Sequence, residues 1–224
     1  MKIVILTDSY GSPRIHANTY AVQPYQTYPE IIKEALKNDH TIVIDHLSYR
    51  KTVELPALIE KHNDADVFVL QSGVVDAYPR VLNQKNTLSQ EFIYKLIRRI
   101  VRLNRSFFIK YISNKPWTTQ KDYETAVQKI IENKKQKFIW VNIAPVNKYQ
   151  DKDTPGANGA IKIYNDILEK NIKGHSNHYL LDIYNILISK NNYEGCMHKA
   201  DSHLNVEGNR LYAECILKIL NKII

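Results

Sequence analysis

Two cysteines, seven glycines and no long apolar run leave the 224 residues short of most features of secreted, metal-bound or membrane-spanning proteins. Cys196 and Cys215 are too few for a disulfide framework or a metal quartet. No His, Cys and acid cluster has metal-ligand spacing, so neither a metal nor a resident cofactor is expected. No segment approaches the roughly 20 apolar residues that span a bilayer. The first apolar run, Ile3-Val4-Ile5-Leu6, is too short for a signal peptide and flows directly into Asp8-Ser9. Cytoplasm is therefore the expected compartment. Zinc-finger spacing, RNA-binding signatures and basic repeats are absent, which leaves nucleic acid without a recognisable reader. Oligomeric state has no signature either.

What is present is an ordinary soluble composition, 44% hydrophobic and 24% charged, with a formal net charge of +8 and pI near 9.2. The excess of positive charge suits an anionic partner; a lysine-loaded surface explains it equally well. A length of 224 residues fits a single domain over 1–224. Continuous β-branched runs predict parallel strands at residues 2–6, 41–44, 66–71, 137–141 and 178–183. Helical patterns fall between them, at 28–36, 53–62, 88–103 with an extension past Phe107 left open, 122–133, 161–171 and from Leu204 onward. Strands alternating with helices predict an α/β fold, a three-layer α/β/α sandwich around a five-stranded parallel sheet. Leu211, Cys215, Leu217 and Leu220 are the expected apolar side of the last helix. The segment from Tyr10 to Thr27 reads as a long functional loop.

Ser9 follows the first strand, so it should stand at the carboxyl edge of the sheet, where such folds place their ligands. A serine needs a base to take its proton and an acid to hold the base in one tautomer. His203, just before the last helix, is the best base at the same edge. Asp201 is the nearest acid, two residues away and able to face the same way in an extended segment.

Three blocks then resemble the SGNH (GDSL-type) hydrolase family. Thr7-Asp8-Ser9 is similar to its first block, Gly73-Val74-Val75-Asp76 to its third, and Asp201-Ser202-His203-Leu204-Asn205 with Gly208 to its last. The resemblance implies a flavodoxin-like sheet and a Ser9–His203–Asp201 triad, with Asp182 as the alternative acid. It also implies backbone N–H groups of Ser9 and Gly73 at the oxyanion. The stretches 73–80 and 142–147 resemble members from surface-polysaccharide (O-antigen or capsule) clusters. That points to an esterase, deacetylase or O-acetyltransferase acting on an O-acylated carbohydrate. Acetyl-CoA would be the acyl donor in the transferase case.

The motif has departures. The third-block Asn, a side-chain donor to the oxyanion, is Val75, and Arg80, Asn142 and Asn147 are the candidates to replace it. The second-block Gly has its counterpart in the turn Ser48-Tyr49-Arg50. The acid lies two residues before His203 where the family usually has three. These departures also fit a carbohydrate-binding or assembly protein on a degenerate scaffold, or other chemistry on a nucleotide-linked or acidic glycan. Arg98, Arg99, Arg102 and Arg105 alternate with apolar residues on a basic amphipathic helix. Such a helix either packs one face and solvates the other, or docks on an anionic membrane or acidic glycan, which would make the protein membrane-peripheral.

Overall fold

Alternate residues of the first strand, β1 (Lys2–Thr7), enter two different cores. Ile3 and Ile5 pack on one side, Val4 and Leu6 on the other, as a period of two demands of a strand covered on both faces. The computed structural model describes residues 1–16, 19–189, 193–198 and 203–224.

After β1 comes a hairpin of β2 (Arg14–His16) and β3 (Thr19–Val22), inside the segment expected to be a loop. Then follow α1 (Tyr28–Leu36), β4 (Thr41–His46), α2 (Leu55–Lys61), β5 (Val67–Gln71) and the short α3 (Val74–Ala77). An excursion of α4 (Gln84–Leu88), α5 (Phe92–Leu103) and α6 (Arg105–Tyr111) precedes α7 (Gln120–Ile131) and β6 (Lys137–Val141). The remainder is α8 (Lys148–Asp153), α9 (Ala157–Ile172), β7 (His178–Leu181), α10 (Ile183–Ser189), α11 (Tyr193–Cys196) and α12 (Val206–Ile223).

The main sheet has five parallel strands in the order β4-β1-β5-β6-β7. The chain runs from β1 outward to β4 and then returns to β5 on the other side of β1. This reversal opens a crevice at the carboxyl ends of β1 and β5, the switch point where α/β sheets bind ligands. Helices α1, α10 and α12 cover one face, while α2, α7 and α9 cover the other. Among the described residues no helix is long and apolar enough to cross a membrane.

Three expectations are corrected. Helix α9 starts at Ala157, because Gly156 takes a left-handed N-cap (φ 85°) and Asn158 joins the helix while bonding both backbone groups of Val146. The buried stripe of α12 is Tyr212, Ala213, Ile216, Leu220 and Ile223, so Leu211, Cys215 and Leu217 flank it rather than form it. The basic helix is not continuous past Phe107: Asn104 (φ −129°, ψ 35°) separates α5 from α6. No residue of α5 is buried, and Phe92, Leu96, Ile100 and Leu103 are exposed.

Candidate active site

The end of β1 is held by polar contacts to its neighbours. The buried Thr7 hydroxyl donates to Gln71 Oε1 at 2.7 Å and accepts from the Tyr28 hydroxyl at 2.7 Å. Asp8 N–H bonds the Gln71 carbonyl at 3.2 Å, carrying the β1–β5 pairing one residue further. The Asp8 carboxylate then caps a single 3₁₀ turn, Ser9–Gly11, by accepting from Tyr10 N–H at 2.9 Å. That turn leaves Ser9 part-exposed above the sheet while Asp8 is fully buried. Burial pushes the Asp8 carboxyl up to about 7, against the pull of the Tyr10 N–H.

His203 arrives from the far end of the chain. His203 and the two residues after it pair with the end of α11 and the residues that follow: Leu204 bridges Met197, Asn205 N–H bonds the Cys196 carbonyl at 3.0 Å, and the His203 carbonyl accepts from His198 N–H at 2.9 Å. Asn205 caps α12 through Gly208 N–H at 2.9 Å. Gly208 lies so close to the Cys196 carbonyl that any Cβ there would collide with it. Pinned in this way, His203 sets its Nε2 3.0 Å from Ser9 Oγ, and its ring centroid lies 5.6 Å from that of Tyr10.

Two turns complete the cleft. After β5, Gly73 (φ 114°) swings the chain into α3, and Val74 and Val75 line the cleft wall. Asp76 is buried behind them, accepting from Thr52 N–H and hydroxyl at 2.8 Å each and from the Thr118 hydroxyl. After β4, Tyr49 adopts φ +66° and also lines the cleft. Arg50, 2% exposed, clamps this turn to the sheet by donating to the Thr7 and Asp45 carbonyls and to the Asp45 carboxylate. The backbone N–H groups of Ser9, Tyr49 and Gly73 make no hydrogen bond to another described residue.

The cleft encloses about 270 Å³. Val74, Val75, Tyr78 and Val146 give it an apolar wall, and Arg80, Arg105, Gln150 and Asp153 give it a polar end. The Arg80 guanidinium lies 4.2 Å above the Trp117 ring centre and 5.4 Å from that of Tyr78. Its burial, and then the charge of Arg105, pull it down to about 10.

The structure therefore brings Ser9, His203 and Arg80 to one cleft, with Gly73 next in sequence to its wall residue Val74. Neither Asn142 nor Asn147, the other two candidates for the oxyanion, is among the residues lining this cleft. Asn142 bridges strand ends, donating to Asp182 Oδ1 at 2.8 Å and accepting from Tyr184 N–H at 3.0 Å. Asn147 caps α8 by accepting from Gln150 N–H at 2.8 Å and lines a different cavity. Asp201 lies outside the described residues. Asp182 accepts from Asn142 and from the backbone and side chain of Asn185 at the start of α10, contacts that place it in a capping role. Tyr78, Arg105, Gln150 and Asp153 line the cleft without a sequence signal that could have selected them, apart from the basic pattern around Arg105. Among the described residues no group of three or more His, Cys, Asp or Glu side chains could hold a metal ion.

Comparison with family models and with curated proteins gives no match. Solved structures do match along the whole chain. A lipase/acylhydrolase from Enterococcus faecalis superposes with TM-score 0.67 at 14% identity, covering 98% of this chain and 94% of that one. A member of the lipolytic protein G-D-S-L family from Veillonella parvula gives 0.60 at 14%, covering 98% of both. An acetyl xylan esterase gives 0.61 at 20%, covering 98% and 99%. The fold is that of the SGNH hydrolases. On this SGNH sheet, Ser9 Oγ and His203 Nε2 stand 3.0 Å apart at the switch-point crevice.

Proposed function

We propose that the protein is a serine esterase that removes a small acyl group, such as acetyl, from an O-acylated carbohydrate in surface-polysaccharide metabolism. The observation that carries this reading is the 3.0 Å contact between His203 Nε2 and Ser9 Oγ in an open cleft. Ser9 Oγ attacks the acyl carbonyl while His203 Nε2 takes its proton. The tetrahedral oxyanion is held by backbone N–H groups of Ser9, Gly73 and Tyr49 and by the Arg80 guanidinium. Collapse breaks the bond to the sugar oxygen, which leaves with the proton from His203. Water, deprotonated by His203, then releases the carboxylic acid from Ser9. Asp201 is the acid we assign to orient His203. The apolar wall of Val74, Val75 and Val146 suits a short acyl chain. The likeness in fold to an acetyl xylan esterase supports acetyl groups on a glycan. A sugar hydroxyl replacing water would make the same site an O-acetyltransferase.

Labelling with a fluorophosphonate tests the reading. The wild type should be labelled and should release acetate from acetylated xylo-oligosaccharide, and Ser9→Ala should do neither. Absence of labelling in both would leave a carbohydrate-binding protein, the reading that Val75 favours by removing a side-chain donor.

A further inference from the structure

A second cavity, of about 200 Å³, adjoins the cleft and shares Arg80 and Arg105 with it. Arg98 and Arg102 complete its charged lining, and Val81, Leu82, Thr87 and Val101 supply the rest. Four arginines thus line one space with no acidic residue in its wall, although Arg98 also donates to the Ser89 carbonyl at 2.6 Å. Arg98 and Arg102 are one helical turn apart on α5, so both project to the same side. Arg99, between them, is not part of the lining.

Positive charges gathered in a half-buried space repel each other and lose hydration, a cost that an anion offsets. Arg80 registers this repulsion directly, since Arg105 is one cause of its lowered proton affinity. Arg105 pairs with Asp153 of the neighbouring cleft, a long ion pair of 3.9 Å from Nε that is beyond hydrogen-bond reach. Arg80 Nε and Arg105 Nε are both buried without a hydrogen-bond partner. Arg80 and Arg105 also both stack on the Tyr78 ring, at 5.4 and 5.1 Å, and Arg80 stacks on Trp117 as well. Stacking occupies the flat face of a guanidinium and leaves its in-plane N–H edge for a forked acceptor. Carboxylates and phosphates are such acceptors, and they pair with that edge through two parallel bonds.

We infer that this cavity is an anion subsite, which takes a carboxylate or phosphate carried by the same acyl-bearing glycan whose ester reaches Ser9. The inference rests on the esterase reading for the identity of the ligand but not for the existence of the subsite. The volume has room for roughly half a dozen waters, enough for an anionic group with part of its sugar ring. The protein would thus select acidic or phosphorylated acyl-glycans over neutral ones.

Calorimetric titration of inorganic phosphate and of galacturonate into the full chain tests the subsite without catalysis, and the stronger of the two names the anion. Saturable binding is expected, weakened about tenfold or more by Arg102→Gln and much less by Arg102→Lys. Arg99→Gln, with its side chain outside the cavity, should bind as the wild type does. Arg102 is exposed, so its substitution should not cost folding. No saturable binding, or equal losses in the Arg102→Gln and Arg99→Gln variants, would overturn the inference. Binding that depends on Arg102 in a protein that neither labels nor hydrolyses would keep the subsite and reject the esterase. If hydrolysis occurs, the preference for an acetylated galacturonide over its neutral counterpart should shrink in Arg102→Gln, and an unchanged preference would reject the link to the substrate.

Discussion

Asp8 carries an electrostatic cost that can be worked out from the structure. Its carboxyl is fully buried, with Oδ1 accepting from Tyr10 N–H and Oδ2 without a partner. Burial moves its proton affinity from the ordinary 3.8 to about 7. A raised folded value means that the folded state prefers the protonated acid. Stability from this group is thus fully present below pH 3.8, declines as the unfolded carboxyl ionises, and is lost once pH passes about 7. At 1.36 kcal/mol per pH unit the full cost is roughly 4 kcal/mol, of which about 1.5 is already present at pH 5.

Asp8→Asn removes the titration and keeps the Oδ1 acceptor that caps the 3₁₀ turn. The new amide N–H adds a buried donor, whose cost of about 1–3 kcal/mol does not vary with pH. The absolute stability of the variant is therefore less informative than its pH dependence. Urea unfolding of both proteins at pH 5 and 8.5 should show the variant gaining about 2.5–3 kcal/mol on the wild type between the two. Parallel stability curves would refute the argument, since they would mean that Asp8 is hydrated or already neutralised by a partner.

Two other perturbations test the walls of the cleft. Asp76→Ala strips the acceptor from Thr52 N–H, the Thr52 hydroxyl and the Thr118 hydroxyl, all buried. It should lower stability by about 3 kcal/mol or more, read as a fall in urea midpoint, and a loss under about 1 kcal/mol would show that these donors find water. Tyr49→Gly keeps the N–H and relieves a left-handed conformation that costs an L-residue about 1 kcal/mol, offset by the greater freedom of unfolded glycine. Stability should change little and kcat should stay within about threefold; a drop of a hundredfold or more would mean that the ring, rather than the backbone, does the work.

The sheet was legible because its five strands are runs of β-branched and aromatic residues whose two faces are both covered. Short elements were not legible. Helices of four to seven residues such as α3, α8 and α11 are too brief for a hydrophobic period, and they exist through caps and tertiary contacts. Ser9 and His203 could be chosen before any coordinates, since their chemistry needs each other and their positions fall at the same sheet edge. The contacts of Asn142 and Asn147 could not be read from sequence, because an amide at a strand end serves equally as an oxyanion donor, a bridge or a cap. Their bonds to Asp182, Tyr184 and Gln150 appear only in the structure. The arginines of the basic helix divide the same way: one-turn spacing puts Arg98 and Arg102 in a cavity that the sequence did not announce.

The two departures from the expected motif bear on one another. A glycine in a catalytic turn stands in for a backbone conformation, and Tyr49 at φ +66° retains that conformation without the glycine. Tyr49 itself lines the cleft, and its backbone still carries an N–H. Val75 is a different kind of loss, because a side-chain amide cannot be recovered from backbone angles, and its removal is worth about 10²–10³ in rate. Arg80, cationic, stacked on Trp117 and lining the same cleft as Ser9 and His203, is the proposed replacement. A charged donor forms a stronger bond to an oxyanion than a neutral amide does. It also binds any other anion, which ties the same residue to the neighbouring cavity. Replacing an amide by a shared guanidinium thus couples how the oxyanion is held to what the substrate carries beside its ester.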